Sequence, residues 1–129
     1  MSSSKYVLVS GYRRLTAEQA SYVAKVLDAE KLDSEDVIIH GGCSGVDTVA
    51  DAWAKAHSIA SIAFPANGHK SEDFLSRNRG MVELCGRVIA FPSKLSRGTM
   101  HTIWYAHKLS KPVKVFNIDS IEMVVENET

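Results

Sequence analysis

The stretch Val37-Ile38-Ile39-His40-Gly41-Gly42-Cys43-Ser44-Gly45-Val46-Asp47 decides the fold class. Its β-branched start reads as a short strand, Val37 to His40, stopped by Gly41-Gly42. Beyond the glycines, Val46, Val49, Ala50, Trp53, Ala54 and His57 recur at the spacing of one helical face. A strand, a glycine turn and an amphipathic helix in direct succession form half of a βαβ unit.

Working outward, the same alternation repeats. Before it, Tyr6-Val7-Leu8-Val9 reads as a strand running out at Gly11. Thr16-Ala17-Glu18-Gln19 then opens a helix, with Gln19 placed to close a capping box on Thr16. After it come a strand from Ala60 to Phe64, a helix from Glu72 to Leu84 and a strand from Arg87 to Phe91. A fourth helix starts near Gly98-Thr99, and Pro112 precedes a fifth strand, Val113 to Phe116. Ile121 to Val125 reads as a possible further edge strand within a short acidic tail. Apolar strands without alternation predict burial on both faces. The expectation is one α/β domain over residues 1–129, with tails at 1–4 and about 120–129. It is a Rossmann-like, doubly wound, mainly parallel sheet of about five strands with helices on both faces.

Composition narrows the function classes. Lys plus Arg and Asp plus Glu stand at 15 each, so the formal net charge is zero. General nucleic-acid binders carry a basic surplus, so balance disfavours that role without excluding a local patch. Cys43 and Cys85 are far apart and form no CxxC pair, which points to reduced thiols and a cytoplasmic setting. No apolar run approaches a membrane span, and the start of the chain has no secretory pattern. The histidines show no HxxxH or HExxH spacing, so neither a metal nor a cofactor is expected.

Ligands of doubly wound folds bind outside the carboxyl ends of the strands, where four unusual clusters fall. Gly11, Tyr12, Arg13 and Arg14 follow the first strand, a glycine exit beside guanidinium donors suited to phosphate. Gly41, Gly42, Cys43, Ser44 and Gly45 follow the second, where helix-start amides attract anions. Asp47 in the next turn either steadies the helix dipole or accepts from a ribose. This loop is neither GxGxxG nor GxxxxGK[ST]. Arg77, Asn78 and Arg79 lie inside the third helix, where positions two apart cannot share a face, so the two arginines take different jobs. The fourth cluster is Pro92 to Thr99, between the fourth strand and the fourth helix, where Arg97, Gly98 and Thr99 bring a glycine and a hydroxyl to a helix start. Cys43 is a weaker candidate nucleophile, with no base assigned to it.

In this order the motifs resemble the SLOG superfamily, over about Val7 to Phe116. The carriers are Ser10-Gly11-Tyr12-Arg13, Gly41 to Asp47, Phe64-Pro65-Ala66-Asn67, Arg77-Asn78-Arg79-Gly80-Met81 and Arg97-Gly98-Thr99. The superfamily includes lonely-guy-type phosphoribohydrolases, the DNA-processing protein DprA/Smf and small nucleotide-binding relatives; the small branch is the nearest in pattern. The resemblance implies a nucleotide-binding fold that often forms dimers or larger oligomers, with its glycine loops on phosphate and ribose. Asn67 joins the ligand-binding set on this ground. In the phosphoribohydrolases an arginine of an RKxxM motif and a glutamate after GGxGT cleave an N-glycosidic bond. Arg77 and Met81 fit the first motif with Asn78 in place of lysine, but Met100-His101-Thr102 offers no carboxylate for the second.

The expected function is therefore binding of a nucleotide or nucleotide-derived small molecule, as a sensor, carrier or sequestering protein. The phosphate is expected between the Gly41–Gly45 and Gly98–Thr99 loops, with Arg13 or Arg77 alongside. An alternative is nucleoside 5′-monophosphate N-glycosidase activity, with Arg77 on the phosphate or leaving group and Asp47 or Glu72 as carboxylate. Single-stranded DNA binding is the third.

Overall fold

A computed structural model describes residues 4–119. Five strands, β1 (Tyr6–Gly11), β2 (Val37–His40), β3 (Ala60–Ala63), β4 (Arg87–Phe91) and β5 (Val113–Val115), form one parallel sheet in the order β3-β2-β1-β4-β5. Four helices connect them: α1 (Ala17–Ala29), α2 (Val46–Ala56), α3 (Ser71–Leu84) and α4 (Arg97–Lys108). The expected Rossmann-like fold is the observed one. The read edge strand at Ile121 to Val125 lies outside the described residues.

Strand periodicity divides the core in two. Val7, Val9, Ile38, Ile89 and Phe91 point to one face, where α1 and α2 cover them with Val23, Leu27, Val46 and Ala50. Leu8, Ile39, Val88 and Ala90 point to the other, under Met81 and Val82 of α3 and Ile103 and Ala106 of α4. Three central strands are thus buried on both sides, as their unbroken apolar runs predict. β3 and β5 depart from that expectation. They are the sheet's edges, and Ile62 and Val115 are largely exposed.

The capping box at α1 forms as read: Gln19 N–H donates to Thr16 Oγ1 at 3.1 Å and Thr16 N–H to Gln19 Oε1 at 2.9 Å. β1 runs two residues past the apolar run, because β4 pairs with Ser10 and Gly11. The connections from β1 lead to β2 on one side, while β4 lies on its other side. The direction of winding reverses there, and the loops leaving β1 and β4 splay apart above the reversal.

Candidate functional site

A cavity of about 400 Å³ opens at that reversal. Each of the four sequence clusters contributes wall, though Gly42, Ser44, Gly45 and Arg79 do not. Gly11, Tyr12, Arg13 and Arg14 come from the β1 exit, and Gly41, Cys43 and Asp47 from the β2 exit. Arg77, Asn78 and Met81 come from α3, and Leu95 through Thr99 from the β4 exit. Its size is in the range of sites for small organic ligands.

The β2 loop is built from within. Asp47 is buried, and its Oδ2 accepts the N–H groups of Gly41 at 3.0 Å and Cys43 at 3.2 Å. Between them, Gly42 N–H donates to His40 Nδ1 at 3.0 Å, which turns Gly42 to φ +73°. These amides therefore face the protein, and the expectation that they hold the phosphate needs correction. Asp47, folded back from the first turn of α2, has already taken the amides of Gly41 and Cys43, and His40 that of Gly42. Burial pushes the Asp47 carboxyl above its ordinary value, against the Cys43 and Gly41 amides, His40 and Arg77, which pull it down.

Ser44 and Gly45 belong to the scaffold rather than the cavity wall. Ser44 Oγ donates to Arg13 O at 3.1 Å, and Val46 N–H donates to Tyr12 O at 3.1 Å. A Cβ on Gly45 would stand 2.3 Å from Tyr12 O, so only glycine lets the two loops meet. Gly42 lines no part of the cavity.

Arg77 is a clasp. Its Nη1 donates to Gly41 O at 2.7 Å and Phe64 O at 2.8 Å, tying together the exits of β2 and β3. Its Nε donates to Asn78 Oδ1 at 2.9 Å. That bond fixes the amide of buried Asn78 with Nδ2 toward the cavity. Arg79 faces elsewhere and pairs with Glu72 at 3.1 Å, so the expected division of labour between the two arginines holds in geometry. Glu72 itself is exposed and lines none of the cavity. Asn67 lines a separate hollow beside Asp73 and Ser76.

The N-terminus of α4 is the open feature. Ser96 precedes the helix without capping it; its Oγ instead accepts Ser93 N–H at 3.0 Å. The N–H groups of Arg97, Gly98 and Thr99 therefore have no partner among the described residues, and all three residues line the cavity. Arg13, Arg14 and Arg97 are exposed and pair with no carboxylate among the described residues. The first turn of α4 holds no acid. Among the described residues, one carboxylate, Asp47, faces this collection of donors. The arrangement suits an anion at the α4 end and a hydrogen-bonding neutral group near Asp47.

His40 is the residue that sequence reading passed over. It looked like the last residue of a strand, and no nearby motif marked it. No group of three or more metal-ligating side chains occurs among the described residues. None of the helices described is long and apolar enough to cross a membrane.

Comparisons with known proteins agree with the fold. The model of the YspA, cpYpsA-related SLOG family matches residues 6–70, half of the chain. DNA processing protein A (DprA) from Streptococcus pneumoniae superposes with a TM-score of 0.75 at 22% identity, over 95% of this chain. The chain spans 56% of that protein's length. DprA from Helicobacter pylori, described for its single-stranded DNA binding mode, gives a TM-score of 0.66 at 22% identity, covering 97% of this chain and 82% of that one. The structural-genomics target TM1055 gives 0.62 at 16% identity, covering 84% and 71%. At these identities the neighbours show a shared fold. No curated protein matches.

Proposed function

The chain belongs to the YspA, cpYpsA-related SLOG family, and on that premise we propose that it binds a nucleotide or nucleotide-derived small molecule in the cavity above β1 and β4. The observation that carries this reading is the uncapped N-terminus of α4, whose free amides open into a cavity ringed by unpaired arginines. A phosphate sits against the amides of Gly98 and Thr99, with Asn78 Nδ2 and the Arg97 and Arg13 guanidinium groups as further donors. Asp47 accepts from a ribose hydroxyl with the oxygen that the loop leaves open. The phosphate thus moves toward α4, away from the midpoint between the two glycine loops.

Calorimetry with AMP, ADP and NAD tests the reading. We expect binding well below millimolar for at least one of them, weakened about tenfold or more by Arg97→Ala. No binding by any of the three overturns it. Cleavage of the glycosidic bond has less support, because Glu72 stands outside the cavity and Asp47 is engaged with the loop.

A second reading, single-stranded DNA binding, is favoured by one observation. The fold is shared with two DprA proteins, one of them described for that activity. The exposed Arg13, Arg14 and Arg97 could follow a strand's phosphates. A homo-oligomer, expected from the resemblance, would find Met100 and Trp104 exposed along one side of α4 and Leu95 exposed in the loop before it.

A further inference from the structure

We propose that His40 is the positioning residue of this site: its neutral imidazole holds the Gly41–Cys43 loop, and a proton on it releases the loop. The proposal rests on the cavity being the ligand site, but its first test does not.

His40 ends β2 and is only 4% exposed. Its two nitrogens do different things. Nδ1 lies 3.0 Å from Gly42 N, which can only donate, so Nδ1 must present its lone pair. The ring proton then sits on Nε2 and is donated to Asp51 Oδ1 at 3.2 Å. The Asp51 carboxylate is itself held by Lys55 Nζ at 2.8 Å on α2 and by Ser61 Oγ at 2.8 Å on β3. These contacts, led by Lys55, keep Asp51 far below the ordinary carboxylate range, so it remains a charged acceptor for the Nε2 proton. The tautomer is thereby fixed from both sides.

The consequence for the loop is direct. Gly41, Gly42 and Cys43 send successive amides inward, to Asp47, His40 and Asp47. Arg77 holds the Gly41 carbonyl from the other side. A second proton on His40 goes to Nδ1, and the Gly42 amide then meets a donor where it had an acceptor. The groups facing the ring tell how the new charge is received. Asp51 and Asp47 on α2 favour it, while Lys55 on α2 and Arg77 on α3 oppose it from behind those carboxylates. The protonated ring keeps its Asp51 partner and loses its Gly42 partner. The loop that carries Gly41 and Cys43 into the cavity wall must turn.

Nuclear magnetic resonance of the full chain reads this without a ligand. Imidazole nitrogen shifts report the His40 tautomer and its titration, and the Gly42 amide reports the loop. We expect the Nε2–H tautomer at about pH 8, and a Gly42 amide shift that follows His40 with the same midpoint as pH falls. His40→Asn supplies the rescue, because its Oδ1 can take the place of Nδ1 as acceptor yet does not titrate. Its Gly42 amide should stay fixed across the same range. A Gly42 amide that stays still while His40 titrates overturns the proposal. So does a His40 that never titrates in the folded protein, or an Asn variant whose loop moves as the parent's does. AMP binding forms the second arm. Between about pH 8 and 5.5 the parent should lose affinity about tenfold more than His40→Asn, the effect of one lost hydrogen bond. The comparison cancels the titration of the phosphate itself. Equal losses overturn the coupling to the site. If AMP binds neither protein at any pH, the nucleotide reading fails while the spectra still judge the loop.

Discussion

Gly42 and Gly45 share a positive φ, at +73° and +77°, but differ in what surrounds them. A Cβ on Gly42 would meet only Ala63 Cβ at 3.6 Å, an ordinary contact. On Gly45 it would press into the Tyr12 carbonyl and the Arg13 backbone at 2.3 to 2.6 Å. Gly42→Ala should therefore cost about 1 kcal/mol, the strain of a left-handed alanine. Gly45→Ala should cost about 3 kcal/mol or more, because backbone must move as well. Chemical denaturation of the two variants checks this; equal costs would mean that the β1 and β2 exits do not meet as described. Asp47 makes a second residue-scale prediction, with its sign set by burial. A carboxyl whose folded pKa is raised contributes stability that is complete below the unfolded pKa and is lost as pH rises through the folded one. Asp47→Asn keeps an oxygen for the Gly41 and Cys43 amides and has no charge to bury. It should be at least as stable as the parent at neutral pH, with the difference shrinking as pH falls toward 4. A variant clearly less stable at pH 7 would show that the loop needs the charge. The sequence made Asp47 visible as a candidate and left its job open. Which oxygen meets which amide depends on how the chain folds back over six residues. The same limit hid His40, whose side-chain partners lie in the loop after β2 and on α2.

At the scale of elements, the ends of the helices were less legible than their bodies. The start of α1 carried its own signal in Thr16 and Gln19. The ends of α1 and α2 carried none, because Lys31 and Ser58 take the left-handed position where glycine is the common signal; Ser110 does so at the end of α4, which Pro112 marked from beyond. Strand burial was legible for β1, β2 and β4, but no local pattern says which strands become edges. Sheet order decides that, and it exposes β3 and β5. The third cluster was read in part: the helical spacing separated Arg77 from Arg79, yet it could not show Arg77 reaching the carbonyls of Gly41 and Phe64. The uncapped start of α4 sets function against stability. Gly98→Asp places an acid in a first turn that has none, where its Cβ meets only Asn78 Nδ2 at 3.8 Å. The helix dipole and the loss of a helical glycine should together raise stability by about 1 kcal/mol. The same carboxylate occupies the amides proposed for phosphate, so affinity for the nucleotide should fall about tenfold or more. A rise in melting temperature with unchanged binding would place the phosphate elsewhere.

For the molecule as a whole, charge separates the two binding readings. Fifteen basic and fifteen acidic side chains cancel, so no net charge draws a polyanion to the surface. Arg13, Arg14, Arg77 and Arg97 nevertheless gather at one cavity, and Arg77 is spent on the scaffold. The local field thus serves a ligand with few phosphates better than a long strand, whose binding gains with each phosphate contacted. Salt dependence measures that number. For single strands the logarithm of affinity falls with the logarithm of salt at about 0.7 per phosphate neutralised. A nucleotide held at α4 should show a slope near 1, unchanged when oligothymidylates of increasing length compete for the site. A strand tracked by the exposed arginines should instead show a slope of about 2 or more, with affinity rising with length until the groove is filled. Measured side by side on the parent and on Gly98→Asp, the two cases part further. The substitution blocks a phosphate at the helix start, but a strand lying across Arg13 and Arg14 keeps most of its contacts. A steep slope that grows with length and survives Gly98→Asp would replace the nucleotide reading with the DNA one.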